Sequence, residues 1–242
     1  MVLGLIGTAL RRNVYFHRSR VLVGPDGQPL ERFMDSIYVA DPLEELDARQ
    51  IRRVNKLRRR LMRDDAVESV NHRVKRAMAA AVNGSGARDV LEWGCGYSSL
   101  RPFLHTRGEF VAVDIDRSLL AVQRAQKVPF VAADDAPQVL ALASFDAVAS
   151  VFVFHFKIPT GHIAAMVAAL RPDGYLLANV YRRSLESRKQ LAGAFETHGM
   201  QVLVAPDPAQ CCAHHEFWLI ARPHVAQTTG YRVLDAVTTA MS

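Results

Sequence analysis

Between Asp89 and Leu100 the chain reads DVLEWGCGYSSL, an apolar run followed by Gly94-Cys95-Gly96. A Gly-x-Gly turn lets backbone approach a ligand closely, because glycine adopts conformations that side chains forbid. Such turns commonly cradle nucleotides. Glu92, two residues before Gly94, restricts the ligand's charge. Two unit negative charges some 4 Å apart, at an effective dielectric near 20, repel by about 4 kcal/mol. The loop therefore suits a nucleoside ligand that carries positive charge better than a pyrophosphate. A dinucleotide fingerprint would also need a third small residue at position 99, a place Ser99 could fill.

Further along, VAVDID supplies Asp114, with Asp116 close behind. A carboxylate roughly 20 residues after a glycine turn can accept hydrogen bonds from both hydroxyls of a ribose. His155 lies near the end of the apolar run SFDAVASVFVFHF and has the residue type of a general base, since imidazole titrates near neutrality. Tyr181 ends GYLLANVY, and its ring could sit over a cation. Both could equally be packing residues. The cluster Cys211-Cys212-Ala213-His214-His215 is rich in metal-ligand types. On an extended strand, however, alternate residues face opposite ways, so few of them could share an ion. A second Cys/His cluster at zinc spacing is missing, and no metal is expected.

These residues need a scaffold. Seven short apolar runs follow Arg88: DVLEW, FVAVDI, PFVAA, FDAVASVFVF, GYLLANVY, QVLVA and EFWLIAR. Helix-like stretches separate most of them. The pattern predicts a doubly wound α/β fold, a mostly parallel seven-stranded sheet with helices on both sides. The last two runs are joined by a loop with Pro206 and Pro208, so an antiparallel strand is expected near the C-terminal end. Ligands of such sheets sit beyond the carboxyl ends of the strands, where the glycine turn lies.

Upstream, the turn cluster Gly24-Pro25-Asp26-Gly27 predicts a small hairpin. Two helices follow. Asp41 would cap the first, with Pro42 and Glu44 behind it, and Asp65 the second, with Glu68 behind it and Asn83-Gly84 at its end. In the first, Val54, Leu57 and Leu61 form an apolar stripe beside a basic one of Arg49, Arg52, Arg53, Lys56, Arg60 and Arg63. The expected organisation is an N-terminal cap over residues 1–84, a ligand-binding domain over 85–222 and a C-terminal extension over 223–242. The apolar start MVLGLIGTAL fits no sheet pattern and is expected to close over the ligand crevice as a lid.

A net charge of +6 in 242 residues is a mild excess. It implies solubility and does not by itself imply nucleic acid. Three cysteines make no disulfide framework, and no apolar run reaches the roughly 20 residues that span a bilayer. The apolar start lacks a basic segment before it, so a cytoplasmic location is expected.

VLEWGCG resembles the first motif of the class I, Rossmann-like S-adenosylmethionine-dependent methyltransferases, an acidic residue followed by Gly-x-Gly. The resemblance implies that Gly94, Cys95 and Gly96 meet the methionine part of the cofactor through their backbone. It implies that Glu92 helps hold the amino group, directly or through water. Asp114 and Ile115 match the end of the family's second strand, which takes the ribose and lies by the adenine. AADDAPQV resembles the acidic-small pair that contacts the adenine amino group, at Asp135-Ala136 or one residue earlier at Asp134. The next strand ends at Ser150, which joins the cofactor-binding candidates. LRPDGYLLANVY resembles the turn into the fifth strand, and the likeness spans roughly 85–222. One family glycine is replaced by Ser98.

The resemblance implies a methyltransferase that acts on a small molecule of secondary metabolism, with His155 and Tyr181 as its catalytic candidates. The Asn/Asp-Pro-Pro-aromatic tetrapeptide and the Pro-Cys nucleophile of nucleic-acid methyltransferases are missing from the sequence. Two alternatives stay open. The enzyme could cyclise S-adenosylmethionine itself, giving azetidine-2-carboxylate and methylthioadenosine. It could also be an RNA-associated or non-catalytic binding protein that uses its basic helix. Neither acceptor nor oligomeric state is legible.

Overall fold

The computed structural model describes residues 14–16, 31–34, 37–39, 45–52, 65–105, 107–212 and 214–242. They fall into two compact units, Met1–Asp65 and Ala66–Ser242. The division lies upstream of residue 84, where the end of the cap was expected.

The first unit holds β1 (Val14–Phe16), β2 (Glu31–Met34) and β3 (Ile37–Val39). Both β1 and β2 pair antiparallel with β3, which lies between them. The turn expected at Gly24–Gly27 lies outside the described residues, as do the apolar start and the helix start expected at Asp41–Glu44. A helical segment at 48–52 begins after Asp47. The Asp47 carboxylate accepts the Gln50 N–H and the Gln50 amide oxygen accepts the Asp47 N–H, each at 2.7 Å. This reciprocal box satisfies amides that a helix start leaves unpaired. Of the basic stripe, Arg49 and Arg52 are described; Val54, Leu57, Leu61 and the other basic residues lie outside.

The second unit opens with α1 (Asp65–Ser85). Val74, Ala77, Met78, Ala81 and Val82 recur at helical spacing and are buried in one apolar cluster. The helix runs through Gly84, where its end was expected, and stops at Gly86. Gly86 takes φ +82° and donates its N–H to the Asn83 carbonyl. That left-handed residue, not the Asn-Gly pair, ends the helix.

Seven strands follow: β4 (Val90–Trp93), β5 (Phe110–Asp114), β6 (Phe130–Ala132), β7 (Phe145–Ser150), β8 (Leu170–Val180), β9 (Gln201–Pro206) and β10 (Glu216–Ala221). Their order is β6-β5-β4-β7-β8-β10-β9. The pairs from β6 through β8 are parallel. β10 is antiparallel to both its neighbours, so it alone runs against the other six. The expected antiparallel strand is present, inserted between β8 and β9 rather than at the sheet edge.

Side-chain alternation sends each strand into two cores. Val90, Ala112, Ala147, Leu177, Phe217 and Leu219 face one cluster, with α1. Leu91, Val111, Val113, Val148, Leu176, Trp218 and Ile220 face the other. Helices α2 (Leu120–Ala125), α3 (Ala136–Val139), α4 (Thr160–Ala169), α5 (Leu185–Glu196) and α6 (Tyr231–Met241) complete the layers. On α6, Val233, Leu234, Val237 and Met241 join the α1 side of the sheet. Burying each such side chain stabilises the fold by about 1.5–3 kcal/mol. Residues 223–242 therefore contribute a layer of the main core. No helix among the described residues is long and apolar enough to cross a membrane.

Candidate functional site

The chain runs outward from β4 to β6, then returns to place β7 on the other side of β4. Such a reversal opens a crevice at the carboxyl ends of the two central strands. The glycine turn leaves β4 at this point. Gly94 takes φ +83° and donates its N–H to the Val113 carbonyl at 2.7 Å. A Cβ on Gly94 would lie 2.1 Å from Val153 Cγ2, so the loop after β7 rests on the turn. Gly96, at φ +56°, faces open space: an added Cβ would meet nothing within 4 Å.

Glu92 is buried, and its carboxylate reaches back to the chain. Oε2 accepts the Ser99 hydroxyl at 2.6 Å, and Oε1 accepts the Leu100 N–H at 2.8 Å. Glu92 thus fastens the far end of the glycine loop. Burial pushes its pKa from 4.5 up to about 7, against the pull of the buried Lys75 and of the bonds from Ser99 and Leu100. Ser99, read in the sequence as a possible spacer, is its hydroxyl partner.

Asp114 ends β5 beside this loop. Its Oδ2 accepts the Gly96 N–H and its Oδ1 the Asp116 N–H, both at 2.9 Å. Burial raises its pKa, and these two amides oppose the rise. Ile115 follows, packed in part against the α4–α5 core. Asp116 turns to Ser118, accepting its N–H at 3.0 Å and its hydroxyl at 2.7 Å. The structure therefore separates the two acids, with Asp114 at the glycine loop and Asp116 as a cap. Cys95 is buried, and burial pushes its thiol pKa up, with Glu92 and Asp114 adding to the effect. It is held as a neutral thiol. Gln123, which sequence reading passed over, donates its Nε2 to the Gly96 carbonyl at 3.1 Å from α2. A lone amide in a short helix gives no signal of such a role.

The adenine-side acids lie farther out. Asp135 accepts the Arg117 guanidinium at 2.7 Å in an exposed pair. Asp134 lies 3.6 Å from His162 Nε2. Ala136, next in the chain, is buried. Ser150 is fully buried and donates its hydroxyl to the Trp93 carbonyl at 2.9 Å, tying β7 to β4. Glu92, Gly94, Cys95, Gly96, Asp114 and Ile115 thus come together at the ends of β4 and β5, whereas Asp134 and Asp135 occupy the surface after β6.

Across the crevice, the loop after β7 carries His155. Both His155 and Tyr181 are buried, with ring centroids 4.4 Å apart. Two side chains from the β8 side hold this loop, and neither was singled out in the sequence. Asn179 Oδ1 accepts the Phe152 N–H at 2.6 Å. Arg183, also buried, donates to the Phe154 and Phe156 carbonyls, each at 2.5 Å. These contacts join residues 27 or more positions apart, which only the pairing of β7 with β8 brings together.

The alternation argument for Cys211–His215 does not hold, because the segment lies in the loop between β9 and β10. The loop turns back on itself, so Asp207, Cys211 and His215 place one donor atom each within 4.8 Å of one another.

Residues 91–178 match the family described as "Methyltransferase domain". No curated protein matches the chain in sequence. Among solved structures, the chain resembles the Burkholderia thailandensis 1,6-didemethyltoxoflavin-N1-methyltransferase with bound 1,6-didemethyltoxoflavin and S-adenosylhomocysteine. That likeness has 18% identity and a TM-score of 0.54, and covers 87% of this chain and 98% of that one. A chain of the Haloferax volcanii complex between the Trm112 methyltransferase activator and a methyltransferase is similar at 14% identity and a TM-score of 0.51. It covers 70% of this chain and 97% of that one. These likenesses concern the fold; the family match falls on the segment that runs from β4 into β8 and contains the glycine turn and Asp114. Residues 91–178 thus match a methyltransferase domain, and the fold around them resembles that of the class I, Rossmann-like S-adenosylmethionine-dependent methyltransferases.

Proposed function

We propose that this enzyme transfers the methyl group of S-adenosylmethionine to a small-molecule acceptor. The observation that carries the reading is the bond from the Gly96 N–H to Asp114 at the crevice between β4 and β7. It joins an open glycine turn to a ribose-binding carboxylate. The residues fit the cofactor: Gly96 borders open space, and a carboxylate oxygen has more than one lone pair, so Asp114 can accept ribose hydroxyls as well as its amides. Gly94, Cys95 and Gly96 present backbone to the methionine part. Glu92 acts through the loop, by fixing Ser99 and Leu100. Ile115 flanks the adenine, and Asp134 or Asp135 with Ala136 takes its amino group. Ser150 holds the end of β7 against β4.

The cofactor supplies a methyl group already activated by a sulfonium, so catalysis is mostly alignment and exclusion of water. His155 takes the acceptor's proton where one must leave, and Tyr181, against it, shapes the acceptor side. The Burkholderia enzyme holds bound 1,6-didemethyltoxoflavin, which supports a small-molecule acceptor; we read that acceptor as one of secondary metabolism. The free thiols Cys95, Cys211 and Cys212 suit a reducing cytoplasm, and nucleic acid has no part in the reading.

Product analysis tests it. The protein is incubated with S-adenosylmethionine, alone and with a panel of small nitrogen, oxygen and carbon nucleophiles. Adenosylhomocysteine formed only with an acceptor is the expected result. Methylthioadenosine from the cofactor alone would assign cyclisation or lysis instead. Neither product, with no cofactor binding, would overturn the enzyme reading.

A further inference from the structure

The β9–β10 loop is linked to the crevice by a chain of buried side chains. Asp207 anchors it. The carboxylate accepts the Ala209 N–H on Oδ1 at 3.0 Å and the Cys211 N–H on Oδ2 at 2.9 Å. His215 Nδ1 lies 2.8 Å from Oδ2, and both side chains are fully buried. On the other side of the ring, His215 Nε2 lies 2.8 Å from Asn179 Nδ2. Asn179 Oδ1 accepts the Phe152 N–H at 2.6 Å.

The direction of every bond follows from one end. A backbone N–H can only donate, so Asn179 must turn its oxygen to Phe152 and its amino group to His215. That amino group can only donate, so Nε2 must carry no proton. The imidazole proton then sits on Nδ1 and points at Asp207. Burial pushes the Asp207 carboxyl up, but the bonds from His215 and Cys211 outweigh it and hold its pKa below the ordinary value. It stays an acceptor.

The far end of the chain is a strained residue. Phe152 takes φ +55°, a left-handed conformation disfavoured for a side chain of its size. Its neighbour Val153 is the residue that rests on Gly94. We propose that Asp207, His215 and Asn179 are positioning residues for the crevice: they hold Phe152 in its left-handed turn and thereby seat Val153 against the glycine loop. The proposal rests on the methyltransferase reading for its link to the cofactor, but the relay itself is a matter of geometry. The same bonds disfavour a metal ion at Asp207, Cys211 and His215. A metal would need the Nδ1 lone pair, which sends the proton to Nε2, against the Asn179 amino group.

Two substitutions at one position separate positioning from loop anchoring. In His215→Gln the amide can reach the place of Nε2 and accept from Asn179. In His215→Asn the shorter amide can donate to Asp207 but leaves Asn179 without its acceptor. Binding of S-adenosylhomocysteine is followed by calorimetry and exchange of the Phe152 amide by NMR. The expected result is that His215→Gln stays within about twofold of the parent in both. His215→Asn should lose about tenfold in affinity and exchange about tenfold faster, the scale of one hydrogen bond. The reverse order, with Asn tolerated and Gln damaging, would mean that the cluster only anchors its own loop and would overturn the proposal. So would equal behaviour of the two variants, or stoichiometric zinc in the purified parent that both variants lose. A parent that fails to bind S-adenosylhomocysteine would sink the methyltransferase reading instead, while the Phe152 exchange still decides the relay.

Discussion

At the ends of β4 and β5, carboxylates hold loops: Glu92 takes the Leu100 N–H and Asp114 the Gly96 N–H. Across the crevice the loop after β7 is held by an amide and a guanidinium, Asn179 and Arg183, among packed aromatic rings. The partners on the first side lie 8 and 18 positions apart in the chain. Those on the second lie 27 apart from Asn179 to Phe152 and 36 from Asn179 to His215. The carboxylate side is a local construction that fixes backbone close by in the chain. The aromatic side depends on strand order.

The two sides meet at Gly94, where substitution should be most costly. Gly94→Ala adds a Cβ 2.1 Å from Val153 Cγ2 at φ +83°. Left-handed strain and overpacking together should remove roughly 2–5 kcal/mol of stability, read by urea unfolding. Gly96→Ala meets no neighbour, so it should cost only about 1–2 kcal/mol while abolishing S-adenosylhomocysteine binding. Equal unfolding costs for the two would mean that the sides do not touch there.

Glu92 should give the first side a pH signature. Its pKa is raised from 4.5 to about 7 in the folded chain, so the folded state holds the proton more tightly. The stability it contributes is complete below the unfolded value and is lost as pH rises through the folded one, roughly 3 kcal/mol in all. Glu92→Gln cannot titrate. The stability of the variant relative to the parent should therefore improve between about pH 5 and about pH 8 by up to this amount. A constant difference across that range would show that Glu92 stays charged beside Lys75.

Asp114→Ala should lower S-adenosylhomocysteine affinity at least tenfold, since hydrogen bonds to a charged group contribute about 1.5–3 kcal/mol. Parental affinity would break the assignment of ribose binding to this side. The smallest effect belongs to Asp135→Ala. Its exposed pair with Arg117 is screened by solvent, so unfolding should stay close to that of the parent. A several-fold loss of cofactor affinity in the same variant would place adenine recognition at Asp135, and its retention would move it to Asp134.

Legibility in the sequence followed the same division. Fully apolar runs such as Val111–Val113 announce strands buried on both faces, and the seven runs became seven strands. Gly94, Gly96 and Asp114 meet at the strand ends as their local spacing suggested, through the Gly96 N–H on Asp114. The role of Glu92 was not readable, because nothing in the spacing says that a carboxylate will turn back to Ser99 and Leu100. The end of α1 was misplaced by two residues because both Gly84 and Gly86 can end a helix, and it is Gly86 that takes the left-handed conformation. Asn179, Arg183 and Asp207 carry no motif at all. The partners of Asn179 and Arg183 come from other strands and loops, and only the insertion of β10 beside β8 brings His215, held by Asp207 within its own loop, to Asn179.

The most direct test of the account is a pair of calorimetric titrations of the parent protein, one with S-adenosylhomocysteine and one with NAD. The methyltransferase reading, built on the glycine turn and Asp114, predicts saturable binding of S-adenosylhomocysteine and none of NAD. Binding of NAD with no response to S-adenosylhomocysteine would contradict it.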